Sequence, residues 1–451
     1  MATPTPVERL IPARRFYWLL LLGTAIGLGS GTVGTDLFGP GFLNPVTLAT
    51  LGFDVLLLVL LVIDGQQLRQ NRVTLARQIP QRLSIGRENT IELVLKTGYS
   101  AALVQLRDGY PQAFWSTSPT LSQVLPAHSQ VTLSYNVFPF KRGKYTWTDL
   151  QIRQLGSWRL TWYDWTIPQT QEVTVFPDLI GLRSLSIRLA LQASGNLRRA
   201  KRLGMGTEFA ELREYATGDD PRLIDWKATA RRDRPLVRVL EPEQEQTLIL
   251  LLDRGRLMTA QVNGLTRFDW GLNALLALAL TGLNRGDRVG VGVFDRQMQT
   301  WIPPGRGQSH LTHLIERLTP LQPEILEPDY LNAVTTVATQ QARRALVVLF
   351  TDLVDVTAST ELLLAMGRLP PRHLPFCVTL RDPEIDRTAQ TITTDVARGY
   401  TRAVALDLLN QRQLALAKLK QKGVLILDAP VDQISEQLVD RYLQLKLRNQ
   451  L

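Results

Sequence analysis

One cysteine, Cys377, is found in 451 residues. It excludes an intramolecular disulfide and a cysteine-built zinc site. Four histidines, His128, His310, His313 and His373, leave few ways to assemble a His-rich metal centre or several catalytic dyads. His310 and His313 stand three apart with no acid or cysteine beside them, which reads as two surface side chains. Cys377 lies in an apolar run and reads as core. No G-x-x-x-x-G-K-[ST] loop and no G-x-S-x-G elbow occurs, and the G-x-G at Gly204 follows a charged stretch instead of a strand. Charged residues make up only 20% against 45% hydrophobic, too apolar a balance for a disordered chain. The expectation is a folded protein of two or three domains that is not an enzyme.

The first 70 residues hold two span-length apolar runs. Residues 16–35 carry no charge, and residues 42–63 carry one, Asp54. Each matches the hydrocarbon thickness crossed by a helix, and Phe16, Tyr17 and Trp18 stand where a membrane interface places aromatics. A cleaved signal peptide is the weaker alternative, because no A-x-A-like site separates the runs. Arg9, Arg14 and Arg15 precede the first run; Arg69, Arg72, Arg77, Arg82 and Arg87 follow the second; the connection around Asp36 has no Lys or Arg. The positive-inside rule then predicts a multi-pass protein of the cytoplasmic (inner) membrane with its soluble part in the cytosol. Gly23, Gly27 and Gly31 make two overlapping GxxxG steps on one face, suited first to packing within the hairpin and second to a homo-oligomer. Asp54 is expected at a helix–helix seam.

Residues 71–180 change to short alternating runs separated by turn residues, the pattern of a β-sandwich-like domain, with Trp147, Trp158, Trp162 and Trp165 as core and edge aromatics. Residues 181–246 are the most highly charged part. Arg183, Arg188, Arg198, Arg199, Lys201 and Arg202 come first, without aromatics and directly before an acidic cluster. That context argues against nucleic acid, and the net charge of +10 is better read as membrane anchoring. Within 204–246, EFAELREY reads as a short amphipathic element, ATGDDP as a turn in which Asp219 or Asp220 caps a helix begun by Pro221, RLIDWKATARR as that helix, and LVRVLE as a strand. Candidate binding residues are Glu208, Arg213, Asp219, Asp220, Arg222, Asp225, Trp226, Lys227 and Arg231. Three readings stand: a salt-bridge network pinning one domain to the next, a docking surface for a protein, and an anion site at the helix start, which Asp219 and Asp220 oppose.

Residues 247–451 alternate apolar strands with helical patterns. TLILLLD (247–253), DRVGVGVFD (287–295), ARRALVVLFTD (342–352), PFCVTL (375–380) and GVLILDA (423–429) are the strands. Near-continuous apolar strands argue for a doubly wound, Rossmann-type α/β sheet, with ligands at the strands' carboxyl ends, where Asp253 and Asp352 stand.

The run G-x-G-x-E-F-x-x-L-R-E-Y-x-x-G-D-D-x-R-x-I-D-W-K-x-T-A-R, followed by P-x-V-R, occupies residues 204–238 and closely resembles the signature of the bacterial domain-of-unknown-function-58 family. RDGYP (107–111) and PFKRGKY (139–145) extend the resemblance. It implies two membrane helices, a β-rich part and a C-terminal von Willebrand factor A-like domain. Domains of that kind hold Mg²⁺ with D-x-S-x-S, a distant Thr and an Asp. Here Asp253 matches, Gly255 and Leu257 replace both serines, and Thr351-Asp352 matches the later acid. Neither replacement offers an oxygen to a hard cation, so Asp253 is expected to pair with Arg254, Arg256 or another base, and no cofactor is expected beyond a weak Mg²⁺ alternative. The leading expectation is a membrane-anchored cytosolic scaffold or adaptor for a protein partner; the resemblance implies that this partner is a MoxR-type AAA+ ATPase, which it would serve as co-chaperone. The other class is a divalent-metal-dependent binding module with a degenerate site.

Overall fold

The computed structural model describes residues 8–38, 45–118, 120–200, 208–241, 246–353, 360–392 and 395–447. Two compact units result, Met1–Val175 and Phe176–Leu451. The helices and the β-rich part therefore form one unit, and the signature segment and the α/β part form the other.

In the first unit the apolar runs form helices Arg14–Phe38 and Pro45–Gln70. The first helix runs on past residue 35 and includes Asp36; Gly39 and Pro40 lie outside the described residues. Their seam is built on small residues: a Cβ at Gly23 would lie 2.7 Å from Phe53, and one at Gly27 would lie 2.6 Å from Thr50. Two of the three glycines thus serve the packing of the hairpin on itself, the first of the two uses expected for them. The side chains from residue 29 onward, including position 31, lie outside those described. Asp54 sits on the same seam, across from Gly23. Among the described residues one segment, Leu48–Gln70, is long and apolar enough to cross a membrane.

Both ends of the hairpin are built into the β part. Strand Arg9–Pro12, ahead of the first helix, pairs antiparallel with strand Thr161–Ile167, and strand Thr74–Gln78, after the second helix, pairs with Asn89–Lys96. Sheets of five, four and three strands follow, the first two antiparallel throughout, with Leu83, Ile91, Leu93, Leu95, Trp147 and Tyr163 fully buried. Their alternating burial is the period-2 signature of a sheet with one wet face. An ion pair lies inside: Arg77 Nη1 meets Asp108 Oδ1 at 2.6 Å and also donates to the Thr148 carbonyl at 2.9 Å. Asp108 is the acid of the RDGYP motif. The glycine beside it is required, since a Cβ on Gly109 would collide with Thr148.

The second unit is organised around a six-stranded sheet in the order Met298–Gly305, Arg288–Phe294, Thr247–Asp253, Leu346–Thr351, Leu374–Arg381, Leu425–Pro430. All neighbours are parallel except the first pair. The sheet is covered on both faces, which is why its strands read as unbroken apolar runs. Leu248, Leu250 and Leu252 pack with helices Leu179–Ala200, Arg267–Asn284, Gly307–Leu318 and Ile434–Leu447. Ile249 and Leu251 pack with helices Tyr330–Gln340, Thr360–Met366 and Val396–Gln421. Numbering the strands as they occur in the chain gives 3-2-1-4-5-6, a doubly wound sheet whose order reverses between Thr247–Asp253 and Leu346–Thr351. That reversal opens a crevice at the carboxyl ends of these two strands.

Candidate functional site

Asp253 ends the first central strand and is fully buried. Its Oδ2 accepts from Thr351 Oγ1 at 2.7 Å and from the Tyr330 hydroxyl at 3.1 Å, and its Oδ1 accepts from the Gly255 amide at 2.7 Å. Burial raises its carboxyl to about 6, against the lowering effect of these donors. Tyr330 opens its helix directly after the cap Asp329, and burial followed by the neighbouring Asp253 charge lifts its hydroxyl well above the ordinary value.

Asp352, one residue past the adjacent strand, is gripped from two sides. Arg267 Nη1 lies 2.6 Å from its Oδ2, and Arg412 Nη1 lies 2.6 Å from its Oδ1. Arg412 continues to the edge strand Leu425–Pro430, two strands away: Nη2 and Nε meet Asp428 Oδ1 at 2.9 and 3.1 Å, where Thr379 Oγ1 of the intervening strand also donates at 2.8 Å. Nη1 also donates to the Leu353 carbonyl at 2.6 Å. Burial alone would lower the guanidinium of Arg412, but Asp352 and Asp428 outweigh it and hold the charge firmly. Arg267 and Arg412 thus join Asp352 and Asp428 in one ion-pair network at the crevice, which Arg381 extends from Asp428, at 3.8 Å, to Asp386, at 3.1 Å.

This arrangement does not fit a divalent cation. Both oxygens of Asp352 already face guanidinium groups, and Asp253 is surrounded by donors, so neither presents a free oxygen set for octahedral coordination. Among the described residues no group of three or more His, Cys, Asp or Glu could hold a metal ion. The expected partners of Asp253 also need correction. Arg254 pairs with Asp295 at 3.2 Å and with Glu324, and Arg256 pairs with Glu327 at 2.7 Å; hydroxyls and an amide serve Asp253 instead. Arg267, Tyr330, Arg412 and Asp428 were not singled out from the sequence. Arg412 left one usable signal: it occupies the buried stripe Ala405, Arg412, Ala415, Leu419 of its helix, a place where an apolar residue is the ordinary choice.

The signature segment is a β-hairpin carrying a small helical cap. Strand Glu208–Glu214 pairs antiparallel with Leu236–Glu241, so EFAELREY is largely strand. Arg213 grips Asp219 with both amino groups, at 2.6 and 2.9 Å, and the Ala216 amide donates to Asp219 at 2.8 Å, closing the turn. Arg213, then the Ala216 amide, hold the Asp219 carboxyl below its ordinary value. Asp220 caps only the short 3-10 turn Pro221–Leu223, accepting from the Arg222 amide. The cap of helix Trp226–Arg232 is Asp225, which accepts from the Lys227 and Ala228 amides at 3.1 and 3.0 Å and pairs with Arg238 at 2.9 Å. Ala228 first and then Arg238 keep its carboxyl low.

Two of the sequence readings change here. The anion site is opposed by Asp225, whose carboxylate already accepts from the Lys227 and Ala228 amides at the helix start. The interdomain network becomes an internal one: Arg213–Asp219, Arg234–Glu214 and Arg238–Asp225 all close within the segment. Arg222, Lys227 and Arg231 are exposed, and Trp226 is 71% exposed at the head of the helix. Glu208 lies in the first strand of the hairpin, and its side chain lies outside those described. The hairpin and the crevice are thus separate candidates, one exposed and one dry.

The family described as "Protein of unknown function DUF58" matches residues 211–404, from within the hairpin to the long helix that carries Arg412. Uncharacterised proteins of Mycobacterium tuberculosis and Mycobacterium bovis are 24% identical over 209 residues, 45% of this chain. The chain spans 65% of the length of these curated relatives. Among solved structures, the conserved hypothetical protein BatB from Bacteroides thetaiotaomicron is 16% identical, with 44% of this chain and 99% of that one covered and a TM-score of 0.28. An aerotolerance-related membrane protein from Bacteroides fragilis is 14% identical over the same shares, with a TM-score of 0.27. Likenesses this slight carry no argument about mechanism.

Proposed function

We propose that the protein is a membrane-anchored adaptor of the cytoplasmic membrane that performs no catalysis of its own. Its two helices cross the bilayer, its von Willebrand factor A-like domain stands in the cytosol, and its signature hairpin docks a protein partner, a MoxR-type AAA+ ATPase. One observation carries this reading: Trp226 is 71% exposed at the head of a helix that also carries exposed Lys227, Arg231 and Arg232, on a hairpin whose ion pairs are closed internally. A pre-organised mount that presents an exposed aromatic and exposed arginines matches the anchors that dominate protein interfaces. The hairpin ends support the membrane topology, since the strands before and after the two helices belong to one β part.

The test is binding between the solubilised full-length protein and the purified MoxR-type ATPase of the same genome. Trp226→Ala combined with Arg231→Glu is expected to weaken binding about tenfold or more, the loss typical of an interface anchor. Equal binding by the variant would remove the hairpin from the interface.

A further inference from the structure

The β part carries a second feature aimed at the end of the helical hairpin. Residues 156–160 link strand Leu150–Leu155 to strand Thr161–Ile167. Asp64 follows directly on the apolar run 42–63, is fully buried, and accepts from the Trp158, Leu160 and Thr161 amides at 3.2, 3.2 and 3.1 Å. Thr161 Oγ1 donates to the Leu61 carbonyl at 3.2 Å. Gly156 lies so near Asp64 that a Cβ there would collide with the carboxylate. The first helix starts at the same place, where the Ala13 amide donates to the Leu160 carbonyl at 2.7 Å. The loop is therefore fixed at the level where exposed Val59, Val62 and Ile63 give way to exposed Gln66, Gln67 and Arg69.

What the loop presents outward is amphipathic. Trp158 is 42% exposed, and Arg159 is exposed in a left-handed turn at φ 58°. Arg14, Arg15, Tyr17 and Trp18 are exposed on the neighbouring helix start. None of Arg14, Arg15 and Arg159 has an ion-pair partner among the described residues. Indole rings favour the headgroup layer, and arginines there reach lipid phosphates.

We infer that the 156–160 loop is a separate membrane contact, with Trp158 lodged among the headgroups and Arg14, Arg15 and Arg159 holding the phosphates of anionic phospholipid. The inference rests on the reading that the helices span the bilayer. It makes the β part a body seated on the membrane surface, beyond a mere tether.

The full-length protein in nanodiscs of phosphatidylglycerol and phosphatidylcholine provides the test. Single cysteines are placed by Ser157→Cys, Val59→Cys and Lys141→Cys and labelled with an environment-sensitive fluorophore. Cys377 is buried, its thiol pushed up to about 12, so the unaltered chain serves as the labelling blank. Lys141 is the remote control. It follows strand Gln130–Pro139, whose other end reaches Thr74 through Lys96, about 30 Å of strand away. Spin-labelled lipid is expected to quench positions 59 and 157 at least twofold more than position 141, and Arg159→Gln to weaken quenching at 157 in the anionic discs. Quenching at 59 with position 157 behaving like 141 overturns the inference and leaves the span intact. No quenching at 59 overturns both. Equal quenching at 157 in discs of phosphatidylcholine alone overturns the role of anionic lipid.

Discussion

The crevice and the signature hairpin are both rich in opposite charges, yet they use them in opposite ways. In the crevice Asp352 and Asp428 lock onto buried Arg412, with Arg267 closing the set. On the hairpin the pairs Arg213–Asp219, Arg234–Glu214 and Arg238–Asp225 lie at the surface and shape a mount. Breaking a buried pair strands a charge away from water, whereas an exposed pair is screened and weak. Charge density along the chain therefore marks the hairpin, while the charges that hold the fold are spread over residues 267, 352, 412 and 428.

The largest effect separating the two regions should come from Arg412→Ala. It leaves buried Asp352 with Arg267 alone and Asp428 with the more distant Arg381 and should cost about 3–5 kcal/mol, read from denaturant unfolding of the full-length protein in detergent. A loss below 1 kcal/mol would break the comparison.

Next comes pH. The folded value of Asp253, about 6, lies above its ordinary 3.8, so folding favours the protonated carboxyl. Its stabilising contribution is complete below pH 3.8 and is lost as pH rises through 6, an amplitude of about 3 kcal/mol. Asp253→Asn should flatten that part of the stability profile between pH 4 and 7. A profile unchanged in the variant would place the titration elsewhere.

Asp225→Ala should act locally. The amides of Lys227 and Ala228 lose their acceptor, so hydrogen exchange should quicken across Trp226–Arg232 and stay slow in the strand Thr247–Asp253. Exchange that quickens equally in both would show that the hairpin is mechanically part of the α/β core. The smallest effect is expected for Trp226→Ala, within about 0.5 kcal/mol of the wild type in stability, because the indole is exposed. A larger loss would mean that Trp226 supports the fold and is not held out for a partner.

The doubly wound sheet was legible because strands buried on both faces must be apolar throughout, as 247–253 and 346–351 are. The antiparallel edge strand Met298–Gly305 was not, since its two prolines and mixed polarity obscure it. The crevice acids were found because each closes an apolar strand, but their partners were not. Arg412 meets Asp352 from 60 positions away, and no local pattern reports such a distance. Within the hairpin Asp220 does cap the short turn begun by Pro221, but the longer helix is capped by Asp225, and Asp219 ties down Arg213. EFAELREY shows why the segment is hard to read locally. Alternating charged and apolar residues suit a strand, but the pairing that decides it lies with residues 236–241, on the far side of a turn and a helix.

The strand Arg9–Pro12 imposes an order of events. Its partner Thr161–Ile167 lies about 150 residues downstream, which at ribosomal speeds means on the order of ten seconds of synthesis. The first helix therefore has to find its place while the strand ahead of it waits without a sheet. Strand Arg9–Pro12 can join its five-stranded sheet only once Thr161–Ile167 has been made, after both helices.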